Sequence, residues 1–93
     1  MITSFKHKGL EKFFNKGTTK GIQPKHAKRI ADILDLLDAA DTISVMNFPG
    51  SGLHKLEPTH QETWAVRVSG NWRITFKFEN GDALMVDYVD YHS

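Results

Sequence analysis

The chain has 93 residues, twelve Lys and Arg against eleven Asp and Glu for a net charge of +1, 40% hydrophobic residues and no cysteine. That length holds one domain, spanning 1–93, and excludes a second. No disulfide framework is available, no apolar run approaches the ~20 residues of a membrane span, and bulk charge gives no argument for a polyanionic partner, so any nucleic-acid surface must come from local clustering of cations.

The N-terminus, Met1 to Lys6, lacks the apolar run of a secretory signal, which fits a cytoplasmic protein. Ile2-Thr3-Ser4-Phe5 reads as a short strand, and Leu10, Phe13 and Phe14 then sit at helical spacing. Asn15 to Gly21 is a loop of glycines and small polar residues. Pro24 suits the first turn of a longer helix, whose apolar stripe of Ala27, Ile30, Ile33, Leu34 and Leu37 runs to about Ala40.

The charges of this helix oppose its dipole. Lys25, Lys28 and Arg29 crowd the N-terminal end while Asp32, Asp35 and Asp38 lie toward the other. One explanation is a solvated face compensated by pairs of Asp32 with Lys28 and with Arg29. The other is that the basic end, with Lys16 and Lys20 of the preceding loop, faces a phosphate backbone. Asp41 is placed to cap a further turn over Thr42 to Met46; Phe48 to Gly52 is loop, Leu53 to Glu57 enters the sheet, and Pro58 to Thr63 is loop again.

Trp64 to Val68 alternates as a strand, as does Asn71 to Phe78, with Trp72, Ile74, Phe76 and Phe78 on one side and Arg73, Thr75 and Lys77 on the other. Pairing Val68 with Trp72, Val66 with Ile74 and Trp64 with Phe76 gathers the large apolar residues on one face and implies a three-residue loop, Ser69-Gly70-Asn71. Arg67 then stands opposite Arg73. Like charges so placed repel unless an anion or a carboxylate such as Asp87 or Asp90 lies between them. The last strand, Ala83 to Val89, is apolar on both faces and reads as central. A two-residue Asn80-Gly81 turn puts Tyr88, Asp90 and His92 on the side of Arg73, whereas a loop one residue longer puts Tyr91 there.

Asp87, Tyr88, Asp90, Tyr91 and His92 concentrate titratable groups at a terminus, where chains ordinarily fray. A carboxylate, a phenol and an imidazole beside arginine can serve phosphoryl transfer, as acid, base and cation. His54, following Gly50-Ser51-Gly52, is a second candidate. His7, His26 and His60 lie among polar or basic residues and read as solvated surface positions. No ligand spacing suggests a metal.

These residues resemble a HigB-type toxin of the RelE superfamily. Ile2 to Leu10 matches the family's start, Leu53-His54-Lys55-Leu56 its Leu-His-x-Leu element, Asn71 to Phe76 its strand and Asp90-Tyr91-His92 its C-terminal signature, so that nearly the whole chain is covered. The resemblance implies an α+β domain of the RelE-like microbial RNase fold, with an N-terminal strand and two to three helices packed on an antiparallel sheet. It implies a ribosome-dependent endoribonuclease cleaving mRNA in the A site, using no cofactor. His54, Arg73, Asp90, Tyr91 and His92 match the family's positions around the scissile phosphate. Lys16, Lys20, Lys25, Lys28, Arg29, Lys55, Arg67 and Lys77 are the candidate RNA contacts. Where the family often has a basic residue and glycine after Leu-His-x-Leu, this chain has Glu57 and Pro58, leaving Lys55 to supply the charge. The implied partners are a helix-turn-helix antitoxin of the HigA type, through which alone DNA is met, and the ribosome, at the 30S A site and its RNA. Other members of the superfamily poison DNA gyrase without cutting RNA, and a binding-only module docking an acidic partner is a third possibility; His54 and the Asp90-Tyr91-His92 ending favour the nuclease.

Overall fold

The computed structural model describes residues 1–56 and 62–91. Helix α1 spans Lys8–Lys16. It starts where it does because His7 is extended and its Nδ1 accepts the Leu10 N–H at 2.9 Å, satisfying one of the amides that a helix start leaves orphaned. It stops at Gly17, whose φ of 77° suits glycine and whose N–H goes back to the Phe13 carbonyl. His7 is therefore a cap, not the solvated residue expected.

A 3₁₀ turn, Pro24–His26, leads into helix α2, Ala27–Ala39, which buries Ile30, Ile33, Leu34 and Leu37 as its stripe predicts. Lys28 pairs with Asp32 at 3.1 Å, but Arg29 does not: its guanidinium reaches the carbonyls of Arg67 and Gly50 and lies over the Phe48 ring. The short helical turn after α2 is 3₁₀, Ile43–Met46, with Thr42 at its N-cap in place of Asp41.

The sheet is an antiparallel meander in the order β1 (His54–Lys55), β2 (Thr63–Ser69), β3 (Trp72–Glu79), β4 (Asp82–Asp90), so Thr63 belongs to a strand, while 58–61 of the loop expected there lie outside the described residues. The N-terminal segment runs parallel to β4 through bridges Ile2↔Ala83 and Phe5↔Val86, close to the expected strand although its pairing is limited to these two bridges. It flanks the first half of β4, which is why that strand reads as central although it ends the sheet order. Both helices cover one sheet face, where Val66, Ile74, Phe76 and Val86 join Leu10, Ile30, Leu34 and Leu37 in the core.

Register agrees with burial for Trp64↔Phe76, Val66↔Ile74 and Arg67↔Arg73, but not beyond. Val68 forms a bulge, Ser69 pairs with Trp72, and the connecting turn is the two residues Gly70 and Asn71. At this bulge the Arg67 carbonyl is taken by Arg29. A second bulge lies in β4, where three steps from Leu84 to Asp87 oppose two from Lys77 to Thr75. Met85 adopts φ 54° there, and its N–H is satisfied by the Ser4 hydroxyl at 2.8 Å.

That second bulge decides the faces of the C-terminal residues. The Asn80-Gly81 turn is indeed two residues, with Glu79 opposite Asp82. Yet the extra residue at Met85 reverses the alternation, so Val89 pairs with Arg73, Tyr88 with Ile74 and Asp90 with Trp72. Tyr88 points into the core and Asp90 stands on the helix-side register, contrary to what a two-residue turn alone predicts.

Candidate functional site

The sheet face away from the helices carries the chemistry. Across it run His54↔Ala65↔Thr75↔Asp87, one row, and Arg67↔Arg73↔Val89, the next. Ala65 and Thr75 are small, so the middle of the first row is low. Over Thr75 lies a cleft of about 620 Å³ lined by Lys6, Lys77, Asp87, Asp90 and Tyr91, with Leu56, Met85 and Val89 as its apolar part. This lies within the roughly 300–1,000 Å³ of ordinary ligand sites.

Of the expected catalytic residues, Tyr91 lines this cleft; Asp90 borders it at the strand end, although its register is that of the helix side, where it also borders a recess with His7, Trp72 and Tyr88. His54 and Arg73 share its face from the margins. His54 is exposed on the edge strand, and its Nδ1 lies 2.9 Å from the Gly52 carbonyl. A carbonyl only accepts, so Nδ1 carries the proton and the neutral ring presents its lone pair at Nε2. Arg73 is turned toward its own strand end, donating from Nη1 to the carbonyls of Gly70, at 2.6 Å, and Trp72, at 3.1 Å. Among the described residues no carboxylate holds Arg73 or Arg67; of the two expected partners, Asp87 accepts the Tyr88 N–H and Asp90 stands opposite Trp72. His92, Glu57, Pro58 and His60 lie outside the described residues.

The expected RNA contacts divide by face. Arg67 is exposed beside the cleft and Lys77 lines it. Lys55 cannot act beside His54, because neighbouring residues in a strand point to opposite faces. Its Nζ lies over Trp64, 3.7 Å from a Glu62 oxygen. Lys16, Lys20, Lys25 and Lys28 are exposed on the helical layer behind the sheet, and Arg29 is held by the carbonyls already named. The basic start of α2 and the cleft therefore face different ways.

Sequence reasoning passed over Lys6, which the N-terminal pairing with β4 delivers, and His26. Far from being solvated, His26 is 3% exposed, with Nδ1 2.7 Å from the Tyr88 hydroxyl. Burial, and secondarily Lys25, lowers its pKa; burial likewise raises that of Tyr88, against a main-chain hydrogen bond from Gln23. Tyr88 also stacks on Trp72 at 4.6 Å. Its position within the polar C-terminal cluster was the one signal that pointed here.

The chain aligns over residues 3–92 with the model of the family described as RelE-like toxins of type II toxin–antitoxin systems, HigB. It is 46% identical over 92 residues to Endoribonuclease HigB of Proteus vulgaris, covering 99% of this chain and 100% of that protein. It is 30% identical over 91 residues to an uncharacterized protein of Haemophilus influenzae, covering 96% and 89%. Its fold is that of a chain in the YoeB-YefM complex from Staphylococcus aureus, with TM-score 0.65, 16% identity and coverage of 100% and 97%. An antiparallel sheet backed by two helices, the ordered Leu-His-x-Leu and Asp-Tyr-His elements and a match spanning almost every residue lead to one conclusion: this chain belongs to the HigB-like family of RelE-type toxins.

Proposed function

We propose that the protein is the toxin of a type II toxin–antitoxin pair, an endoribonuclease that cleaves mRNA in the ribosomal A site and so stops translation. The observation that carries this reading is the convergence of Tyr91, Lys77 and Lys6 in one cleft, with Asp90 at its border, on the sheet face that also bears His54, Arg67 and Arg73. Two opposed arginines with no carboxylate on either guanidinium among the described residues suit a phosphate, and the name of the Proteus relative supports RNA as its source.

In this reading the ribose 2′-hydroxyl loses its proton to His54 Nε2 and its oxygen attacks the adjacent phosphorus. The bond from phosphorus to the 5′-oxygen breaks, His92 protonates the departing oxygen, and a 2′,3′-cyclic phosphate remains. Arg73, released from its turn and assisted by Arg67, offsets the charge on the phosphoryl oxygens, an effect worth roughly 10²–10³ in rate for one donor. Tyr91 stacks on or hydrogen-bonds the nucleotide, and Asp90 is the alternative base. His54 is preferred because its Nδ1 is already oriented by Gly52. No metal enters the scheme.

His54 and Asp87 stand three strand spacings apart, roughly 14 Å, so the scissile phosphate is placed between them, toward Thr75, which lines the cleft. A helix-turn-helix antitoxin of the HigA type is the proposed partner, and the cytoplasm the proposed compartment; no helix among the described residues is long and apolar enough to cross a membrane. The test adds purified protein to programmed ribosomes carrying a defined mRNA, with free mRNA as control, and maps new 5′ ends. Cuts confined to the A-site codon on ribosomes support the reading. Absence of cuts in both tubes overturns it in favour of binding alone.

A further inference from the structure

We infer that the buried hydrogen bond between His26 and Tyr88 is a positioning device, which ties the end of β4 to helix α2 and so places Asp90 and Tyr91 over the cleft. The inference rests on the proposed role of those two residues in cleavage.

Among the described residues, the end of β4 is paired with a strand on one side only. The N-terminal segment pairs with this strand only as far as Val86, through the Lys6 N–H, before turning into α1. From Asp87 onward, among the described residues, β3 is the only strand beside it. Tyr88 supplies the missing restraint from below. Its hydroxyl lies 2.7 Å from His26 Nδ1, its ring stacks on Trp72, and the His7 ring meets it edge-on at 5.6 Å. Trp72 is the residue opposite Asp90, and the neighbouring Asn71 carbonyl accepts the Tyr91 N–H at 2.8 Å. What fixes Tyr88 therefore fixes the frame from which Asp90 and Tyr91 project. His26 in turn begins a helix anchored by four buried aliphatic side chains.

The polarity of the pair supports this role. Two apolar rings would fill the same space, whereas a buried polar pair adds little net stability and much directional preference. The hydroxyl and the imidazole can each donate or accept, so the 2.7 Å contact can be satisfied by either tautomer of His26.

The test compares Tyr88→Phe, His26→Leu, His26→Asn and the double variant Tyr88→Phe/His26→Leu. Asparagine keeps a polar nitrogen or oxygen where Nδ1 stood. Cleavage of a defined mRNA on programmed ribosomes is measured per folded molecule, beside hydrogen exchange at the Tyr91 and Ile74 amides. Expected are a fall in kcat of about 10–100-fold for Tyr88→Phe and His26→Leu with KM nearly unchanged, as displacement of a reacting group by about 1 Å produces. The double variant is no slower than either single one, His26→Asn recovers most of the rate, and exchange quickens at Tyr91 but not at Ile74. Wild-type kcat in Tyr88→Phe, a multiplicative double variant, or unchanged Tyr91 exchange overturns the inference. If His26→Leu does not fold, Tyr88→Phe decides. If the wild-type protein itself cuts nothing, the nuclease reading has failed, and the exchange comparison alone then judges the restraint.

Discussion

The two faces of the sheet follow different rules. On the helix side Val66, Ile74, Phe76 and Val86 are fully buried in the core that the helices complete, with Trp64, Trp72 and Phe78 half-buried around them. On the other side two arginines stand opposite one another with no carboxylate holding either guanidinium among the described residues, and a cleft opens over Thr75. Magnitudes explain how one sheet carries both. Each large core side chain contributes about 1.5–3 kcal/mol by burial, while a like-charge cross-strand pair costs about 0.2–1 kcal/mol. The packed face holds the strands in register firmly enough for the other to keep repelling cations in place, available to a phosphate.

Substitutions on the two faces should therefore separate stability from activity. Phe76→Ala, on the helix side, is expected to lose about 3–5 kcal/mol, a large part of the roughly 5–15 kcal/mol that holds a domain folded. Urea denaturation measures it, and a loss below 1 kcal/mol would mean that the core is not organised around β3. His54→Ala, exposed at the cleft margin, is expected to change stability by less than about 0.5 kcal/mol and to slow cleavage by about 10²–10⁴-fold. A His54→Ala variant that melts early yet cuts normally would erase the distinction between the faces.

A smaller effect separates the two histidines that lie on either side of the sheet. His26, unlike His54, is buried, and its pKa in the fold is lowered. Near pH 6 the unfolded chain therefore binds more protons at this position than the native one, so stability rises with pH there. The contribution is complete above the ordinary value of 6.5 and is lost as pH falls from that value toward the lowered one. Thermal melts between pH 7.5 and 5 should show the wild-type protein weakening more steeply than His26→Asn. Parallel curves would show that His26 takes up its proton in the fold without penalty.

The contrast between the faces also explains what the sequence disclosed. The alternation of Trp72, Ile74, Phe76 and Phe78 and the stripe from Ile30 to Leu37 are local patterns driven by burial, and both elements form where those patterns put them. Arg67 opposite Arg73 followed from the same register. The cleft is different, because its content depends on contacts distant in sequence. Lys6 arrives by pairing with β4, 80 positions away, and a bulge at Met85 reverses the faces of everything after it. Nothing in Leu84-Met85-Val86 marks a bulge, since methionine at a positive φ is intrinsically unfavourable; the Ser4 hydroxyl makes it possible. His26 misled for the same reason, as its basic neighbours suggested solvent and its partner lies 62 residues on.

Met85 gives the smallest effect and the finest test. A non-glycine residue in the left-handed region is strained by about 1–3 kcal/mol, and this side chain is 45% exposed, so truncation forfeits little packing. Against that relief, glycine adds about 0.5–1 kcal/mol of unfolded-state entropy to be overcome. Met85→Gly should therefore raise stability by up to about 1 kcal/mol, while leaving the faces of Asp87, Val89 and Tyr91 as they are. Ser4→Ala acts in the opposite sense: it removes the acceptor of the exposed Met85 N–H and is expected to cost about 0.5–1.5 kcal/mol. Combining the two substitutions then discriminates between strain and hydrogen bonding. If glycine at 85 recovers none of the loss caused by Ser4→Ala, the unpaired amide dominates; recovery in full would mean that Ser4 served only to hold a strained φ.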